Sequence, residues 1–555
     1  MIRMAASARP DLLHRGSAPV WQVGACLGLA ALLILVTAML GVPERTPLGG
    51  HDADFAIRAL VFLERDWASP GLPPAWLADM QGGFGGPLFQ FYPPLAFLMA
   101  LAIERTLQLD PITTLLVTVA VGRGAAMGAC FLWLRCHVSR PAASLGAATY
   151  ALLPFTAVID PTMRFAFSET MATALLPLLP MAIDAPALRG RVRIALFSAA
   201  FAMVILTNIP TALTMGLVCA VYALALQRRR AGVVVAGGSL GMALAAWHLV
   251  PAMLGADAIS TSAMLDEGHR WTGTMLFWGA MALHRPNGIW ILLYGTLLAL
   301  GALGWIALLR GGRAARPVTV GGLAALAMCT PLSIPVWLVL PVLDYVQFPW
   351  RFLLPATLFA AAQVAWLAER GVHLRWLAGL VFAAGVASAL VVPASHLKPA
   401  HAIRFVDPQA RLTDALAIGE DPVEYLPAAA RDAGWLNVRQ PDPARLPVAL
   451  EGTAQVATFA RTPGTLRIAG IARGQAALLL PQFWTADWEA DGGYIASDPT
   501  TGLIRLDVPD GAFDAMVRRG PTAYATAGTA VSVAALLVAA ALGLWRPARV
   551  SDLSA

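Results

Sequence analysis

Long apolar stretches dominate the chain and define its class. Runs of about 20 mostly apolar residues, the length that a helix needs to cross a bilayer, recur between residues 21 and 392 and again between residues 523 and 544. The bilayer offers the backbone no water, so helices are the expected spanning elements. The pattern predicts an α-helical polytopic membrane protein with about thirteen transmembrane helices. The first of them, over residues 20–42, is expected to be a retained helix because no clear cleavage site follows it.

Composition and charge agree with this class. Of the 555 residues, 58% are hydrophobic and only 13% are charged, which is more apolar surface than a water-soluble core can use. The formal net charge of +6 is spread over short basic clusters beside apolar runs and not over one face. We therefore expect membrane lipid as a partner and no nucleic acid. The five cysteines form no CxxC metal motif and no disulfide framework.

Basic clusters predict the orientation, because cytoplasmic loops carry an excess of Lys and Arg. They occur at residues 3–15, 135–140, 189–193, 228–230, 310–316, 370–375 and 546–549. The first loop, 43–90, and the polar region 395–520 then lie outside the cytoplasm. One conflict remains, since two apolar segments, 91–107 and 112–134, precede the cluster at 135–140, which requires an odd number of crossings. Either one segment is re-entrant or that cluster departs from the rule.

The chain thus divides into a multi-pass region over 1–394, an extracytoplasmic domain over 395–520, a final helix over 521–545 and a cytoplasmic tail over 546–555. Apolar residues at helical spacing predict a short interfacial helix over 54–63. Alternating residues from Thr465 and from Leu503, separated by Thr-Pro-Gly and Asp-Gly-Gly turns, predict a small β-sandwich in the later half of the domain. The aromatic residues of the domain are expected either to stack on sugar rings or to pack in its core, and core packing is favoured. These residues are Trp435, Trp484, Trp488 and Tyr494.

The first loop opens with a candidate catalytic motif, His51-Asp52-Ala53-Asp54. Two carboxylates this close can activate an acceptor hydroxyl or hold a divalent cation such as Mg or Mn against phosphates. A solvated loop with ordinary charges is the alternative, and a bare D-x-D motif is weak evidence. Downstream, Gly82-Gly-Phe-Gly-Gly-Pro-Leu-Phe and Tyr92 suit either a substrate mouth or an aromatic belt at the membrane surface.

Further candidates lie beside later helices. Arg164 and Glu169 flank a turn outside the cytoplasm, where charge at membrane depth indicates either function or a local ion pair. Arg351, in Gln347-Phe-Pro-Trp-Arg-Phe, can grip a lipid-linked phosphate or reach from a helix end to the membrane surface. His284 and Arg285 are equally open candidates for contacting phosphate.

Taken in order, these stretches resemble a family of bacterial membrane proteins called 6-pyruvoyl-tetrahydropterin-synthase-related. The resemblance is carried by residues 51–58, 76–79, 82–95, 164–169, 347–352, 424–427 and 484–508. That family is similar in layout to the GT-C glycosyltransferases, which use a polyprenyl-phosphate sugar donor. The resemblance implies Asp52 as catalytic base, Glu169 as a second acid, and Arg351 as a phosphate contact. Relatives often carry a histidine where this chain has Ala56, so that role is absent or falls to His51.

The resemblance implies an enzyme of the bacterial inner membrane that transfers a sugar to a glycan, lipid or protein acceptor. In such a transfer Arg351, Arg58 or a divalent ion would stabilise the departing phosphate. Two other classes stay open. A transporter predicts broken helices and polar groups near the bilayer midplane, whereas a non-catalytic scaffold with a glycan-binding outer domain predicts blocked space around Asp52.

Overall fold

The computed structural model describes residues 52–68, 73–265, 270–279, 288–395, 408–417, 421–437 and 441–544, together with residues 24, 28 and 31. Apart from those three residues, the predicted first helix over 20–42 lies outside this set. The described chain is mostly helical and carries a β-rich domain before its last helix, as the sequence predicts. We call the described residues between 408 and 519 the C-terminal domain.

The longer helices are labelled in chain order. They are α1 (Ala53–Arg65), α2 (Leu95–Leu107), α3 (Pro111–Arg135), α4 (Arg140–Leu152), α5 (Phe167–Ala172), α6 (Leu178–Asp184), α7 (Gly190–Thr207), α8 (Ile209–Leu226), α9 (Arg228–Leu244), α10 (Ala246–Leu254), α11 (Gly288–Arg310), α12 (Gly312–Met328), α13 (Ile334–Val339), α14 (Leu353–Arg370), α15 (Val372–Ser395), α16 (Pro408–Ala417) and α17 (Ala523–Leu544).

Shorter helical segments connect them. A π-helix, Phe155–Arg164, follows α4. Single α-helical turns lie at Met80–Gly83, Leu88–Phe91, Trp271–Thr274 and Ala428–Asp432. Turns of 3-10 helix lie at Ala256–Ala258, Thr261–Leu265, Pro331–Ser333, Pro341–Val346, Pro349–Phe352, Val423–Tyr425, Trp435–Asn437 and Pro443–Arg445.

The helical region is that of a multi-pass membrane protein. Within the described residues, 7 helical segments are long and apolar enough to cross a membrane. Two bent pairs, α9 with α10 at 74° and α12 with α13 at 95°, raise this to 9 if each pair is one span. The total of about thirteen stays a prediction. Local sequence defines where the spans begin: Asp110, before Pro111, accepts a hydrogen bond from the Thr113 N–H at 3.0 Å and so caps α3.

The length of helix α2 bears on the conflict in the predicted topology. It has 13 residues and is therefore about 20 Å long, too short for a hydrocarbon core of about 30 Å. It runs beside α1 along its length: the Phe97 ring lies 6.3 Å from that of Phe55, and Arg105 Cζ lies 5.0 Å from the centre of the Trp67 ring. Both ends of α2 are therefore next to α1. A re-entrant α2 would leave α3 as the one crossing before the basic cluster at 135–140, which is the odd number that the predicted orientation requires.

The C-terminal domain contains six antiparallel strands: β1 (Val448–Thr462), β2 (Thr465–Phe483), β3 (Trp488–Asp491), β4 (Tyr494–Ser497), β5 (Leu503–Val508) and β6 (Gly511–Arg519). They form one connected sheet instead of the two separate sheets of the predicted β-sandwich. The reason is the 19-residue length of β2. Strand β1 pairs along one edge of β2, while β6 and β5 pair with the first and second halves of the other edge.

The predicted strands and turns are confirmed. The Thr-Pro-Gly turn joins β1 to β2 with Gly464 at φ +69°, and the Asp-Gly-Gly turn joins β3 to β4 with Gly492 at φ +89°. Trp435 and Trp488 are buried in the domain core, whereas Tyr494 is 68% exposed. Core packing is therefore the role of the two buried tryptophans.

The glycine-rich stretch docks the first loop onto the C-terminal domain. The Phe84 ring lies 4.9 Å from Trp435 and 5.8 Å from Phe483, and the Phe483 N–H donates to the Phe84 carbonyl at 2.7 Å. Gly85 has φ +80°, and a Cβ there would lie 2.4 Å from Gln482 Oε1 and 2.4 Å from Trp76 Nε1. The positive φ and the close approach of the Gln482 and Trp76 side chains thus explain the glycine at position 85. This contact fixes α1 against the sheet domain.

Candidate functional site

A buried cluster of four charges lies where the π-helix, α5 and α14 meet. Arg164 Nη1 donates to Asp160 Oδ1 at 2.6 Å and to Glu169 Oε2 at 2.8 Å. Arg351 Nε forms an ion pair with the same Glu169 oxygen at 3.3 Å. Two acids and two guanidinium groups balance one another, which is the condition for burying charge at this depth. The predicted local pair of Arg164 with Glu169 is present, and Arg351 joins it from a distant part of the chain.

Irregular backbone brings these side chains together. Pro161 lies inside the π-helix and has no N–H for a regular helical bond, so the wider turn carries Asp160 and Arg164 to one side. Phe165 and Gln347 have φ +51° and φ +62°, values that side chains rarely adopt. Such strained residues concentrate at functional sites. Phe165 directly follows Arg164, and Gln347 lies four residues before Arg351, so each of the two chain segments that supply the cluster contains one of these residues.

Asp52 lies beside the cluster and is exposed. Its backbone N–H donates to the Arg164 carbonyl at 2.9 Å, which ties the start of α1 to the end of the π-helix. Its carboxylate is close enough to interact electrostatically with Arg164 and Arg351. An accessible carboxylate therefore stands next to two buried guanidinium groups.

Several polar atoms in the cluster and next to it in sequence have no hydrogen-bond partner within the described part of the chain. They are Asp160 Oδ2, Glu169 Oε1 and Thr170 Oγ1, all buried. Buried polar atoms are normally paired with protein or water, so three orphaned oxygens in one place suit polar ligand atoms or ordered water.

Tyr92 closes one side of the site. Its ring contacts those of Phe55, at 5.2 Å, and Tyr425, at 6.2 Å, and therefore joins α1 to the C-terminal domain. Burial raises the pKa of the Tyr92 hydroxyl to about 12, and the charges of Asp52 and Glu169 add to that rise. The hydroxyl stays protonated at neutral pH and is available as a hydrogen-bond donor.

Asp54 and Arg58 face the C-terminal domain. Asp54 forms an ion pair with Arg411 of α16, and Arg58 Nε donates to Asp421 Oδ1 at 3.0 Å. Both guanidinium groups are almost fully buried. These two pairs hold α1 between the membrane helices and the C-terminal domain, and roles for Asp54 in catalysis and for Arg58 in substrate binding stay predictions.

The described residues offer few ligands for the predicted divalent cation. The Asp54 carboxylate is engaged by Arg411, and the described residues contain no group of three or more His, Cys, Asp or Glu side chains placed to hold a metal ion. They do not provide a complete ligand set, so metal binding by Asp52 and Asp54 stays a prediction. His51, His284 and Arg285 lie outside the described residues.

Sequence patterns miss part of the site. Asp160 was detectable, because a residue four positions before Arg164 on a helix faces it. Arg411 and Asp421 had no such signal, since they are 357 and 363 residues from their partners.

Fold and site together define a multi-pass α-helical membrane protein with a docked β-rich domain and a charged site at the junction. The sequence matches no protein-family model and no curated protein, so membership of the 6-pyruvoyl-tetrahydropterin-synthase-related family stays a prediction.

Among solved structures, the chain is similar to three proteins at low identity. The arabinofuranosyltransferase AftD from Mycobacteria has TM-score 0.46 and 18% identity over 69% of this chain, which spans only 27% of that protein. ArnT from Cupriavidus metallidurans, solved bound to undecaprenyl phosphate, has TM-score 0.43 and 16% identity over 72% of this chain and 70% of its own. The Archaeoglobus fulgidus oligosaccharyltransferase has TM-score 0.42 and 13% identity over 76% and 59%, respectively.

Proposed function

We propose that the protein is a GT-C-type glycosyltransferase that moves a sugar from a polyprenyl-phosphate carrier to a glycan, lipid or protein acceptor. The observation that supports this most is the exposed Asp52 carboxylate held beside the buried Arg164 and Arg351. An inverting transfer needs a base for the acceptor hydroxyl and positive charge for the departing phosphate. Both requirements are met within one small region.

In the proposed step the acceptor hydroxyl oxygen attacks the anomeric carbon of the sugar. The bond from that carbon to the phosphate oxygen breaks, and its electron pair leaves with the polyprenyl phosphate. The acceptor proton passes to the Asp52 carboxylate, which later releases it to water. Arg351 faces the growing phosphate charge, with the Tyr92 hydroxyl as a further donor.

The site's depth suits a lipid-borne donor. Arg164 ends one candidate span, Arg140–Arg164, and Arg351 lies at the beginning of another, Pro349–Arg370. Both guanidinium groups are therefore expected at the level of the lipid head groups, where the phosphate of a polyprenyl carrier resides. By the distribution of basic clusters, this surface is the periplasmic or outer face of a bacterial inner membrane.

The test is transfer from a panel of radiolabelled polyprenyl-phosphate sugars in membranes containing the protein at equal abundance. Asp52→Asn is expected to abolish transfer of the active sugar. Glu64→Gln is the matched control, because Glu64 is exposed near the far end of α1, about 18 Å from Asp52 along the helix. Absence of transfer by the unaltered protein over the whole panel would favour the scaffold or transporter instead.

A further inference from the structure

A second site lies at the opposite end of the helices. A cavity of about 160 Å³ opens between the ends of α3, α6 and α8 and the adjoining parts of α9, α12 and α14. Trp366 lines it and is 15 residues after Arg351 on the same continuous helical segment, about 22 Å away. All these helix ends carry the basic clusters that predict the cytoplasmic side. The cavity is thus distinct from the Asp52 site.

Asp184 is the acidic residue of this cavity, and it already has hydrogen-bond donors. Asp184 accepts hydrogen bonds from Tyr222 Oη at 2.5 Å and from Trp133 Nε1 at 3.2 Å, and His137 Nε2 lies 3.0 Å from Asp184 Oδ2. Three side chains therefore contact the carboxylate, and two of them donate hydrogen bonds to it. Asp184 therefore organises the cavity wall and has little capacity left for a cationic ligand.

Arg230 brings a guanidinium into the cavity. Its half-buried side chain lines the cavity and makes no hydrogen bond or ion pair with any other described residue. Nearby Arg193 differs, since its guanidinium donates to the carbonyls of Ile183 and Ala185 at 2.7 and 2.5 Å. The N–H donors of this guanidinium are thus free of the other described residues and can bind an anion such as phosphate, whose geometry a guanidinium matches.

Much of the remaining lining is apolar, although His137 and Gln227 also line the cavity. Trp133 and Trp366 are joined there by aliphatic side chains, including Leu226 and Val318. A soluble anion gains nothing from such a wall, whereas a phosphate attached to glycerol and acyl chains buries apolar surface against it. Basic pockets between helices on the cytoplasmic side are the setting in which anionic lipid head groups bind.

We propose that this cavity binds a phosphate ester through Arg230, and that its occupant is an anionic glycerophospholipid of the adjacent leaflet. The volume accepts a phosphate and the first atoms attached to it, while the acyl chains stay in the bilayer. The inference does not depend on the proposed sugar transfer.

The test uses purified full-length protein in neutral detergent, titrated with phosphatidylglycerol, phosphatidylcholine or inorganic phosphate. Bound lipid is counted by native mass spectrometry and stability is followed by thermal unfolding. The protein is expected to bind phosphatidylglycerol saturably with a rise in Tm. Arg230→Gln should weaken that binding about tenfold, the typical effect of losing a charge-assisted hydrogen bond. Arg228→Gln is the matched control, since Arg228 is exposed and does not line the cavity.

Three outcomes would overturn the proposal. Equal loss in the two variants would mean that phosphatidylglycerol is attracted by general positive charge. Equal binding of phosphatidylcholine would remove the preference for anionic lipid. A full effect from inorganic phosphate alone would identify a site for a soluble anion in place of a lipid.

Discussion

Glu169 has two guanidinium partners, and its removal leaves both with only the second acid, Asp160. We expect Glu169→Gln to destabilise the protein by about 3–5 kcal/mol, because truncating one member of a buried ion cluster leaves uncompensated charge. The measurement is thermal unfolding in detergent. Glu489→Gln is the control, since Glu489 is 61% exposed and 3.9 Å from Arg518, and surface pairs contribute at most about 1 kcal/mol. Equal unfolding temperatures in the two variants would contradict the account of the cluster.

Asp66 gives a prediction about pH. Burial raises the pKa of its carboxyl to about 6, although the Ala78 N–H donates to it at 2.8 Å and opposes the rise. The folded pKa exceeds the unfolded one, so its contribution to stability is complete below about pH 4 and is lost as pH rises through 6. Unaltered protein should therefore lose up to about 3 kcal/mol relative to Asp66→Asn between these limits. Thermal unfolding at pH 4 and pH 7.5 measures this, and parallel pH profiles would refute it.

At the scale of elements, the docking of the first loop onto the C-terminal domain positions α1 and therefore Asp52. Gly85→Ala should weaken this docking, because the new Cβ would meet Gln482 and Trp76. Gly82→Ala is closely matched, since Gly82 has φ +70° but nothing lies within 4 Å of its Cβ position. Both variants incur the left-handed backbone penalty of about 1–2 kcal/mol. Only Gly85→Ala should lose a further 1–3 kcal/mol or so from overpacking, measured by thermal unfolding, and equal losses would exclude steric docking at Gly85.

Elements defined by local pattern were predictable, whereas their assembly was not. Strand alternation located β2 and β5, and glycine-containing turns located the hairpins. The length of β2, which merges two expected sheets into one, depends on pairing partners from three different strands. Likewise, α2 is apolar enough to suggest a span, but it begins only at Leu95, after Pro93 and Pro94, which leaves it too short. The docking pairs of Arg411 and Asp421 arise from tertiary contact alone.

At the scale of the whole molecule, the parallel packing of α1 and α2 predicts which surface each turn faces. Gln108, exposed at the end of α2, should lie on the Asp52 side. Native Cys136, half-buried after α3, should lie on the other side. In intact cells a membrane-impermeant maleimide is expected to label Gln108→Cys, and to reach Cys136 only after permeabilisation. Labelling of both positions only after permeabilisation would mean that α2 crosses the membrane.

We propose Asp52 as the base of a sugar transfer beside the Arg164 and Arg351 cluster. The most direct measurement is single-turnover transfer by purified, reconstituted protein with Asp52→Asn, together with donor binding by the same variant. We predict that the chemical step slows by about 10²–10⁴-fold, the usual contribution of a positioned base, while the donor binds with nearly unchanged affinity. Unchanged turnover, or a loss fully explained by weaker donor binding, would contradict the claim.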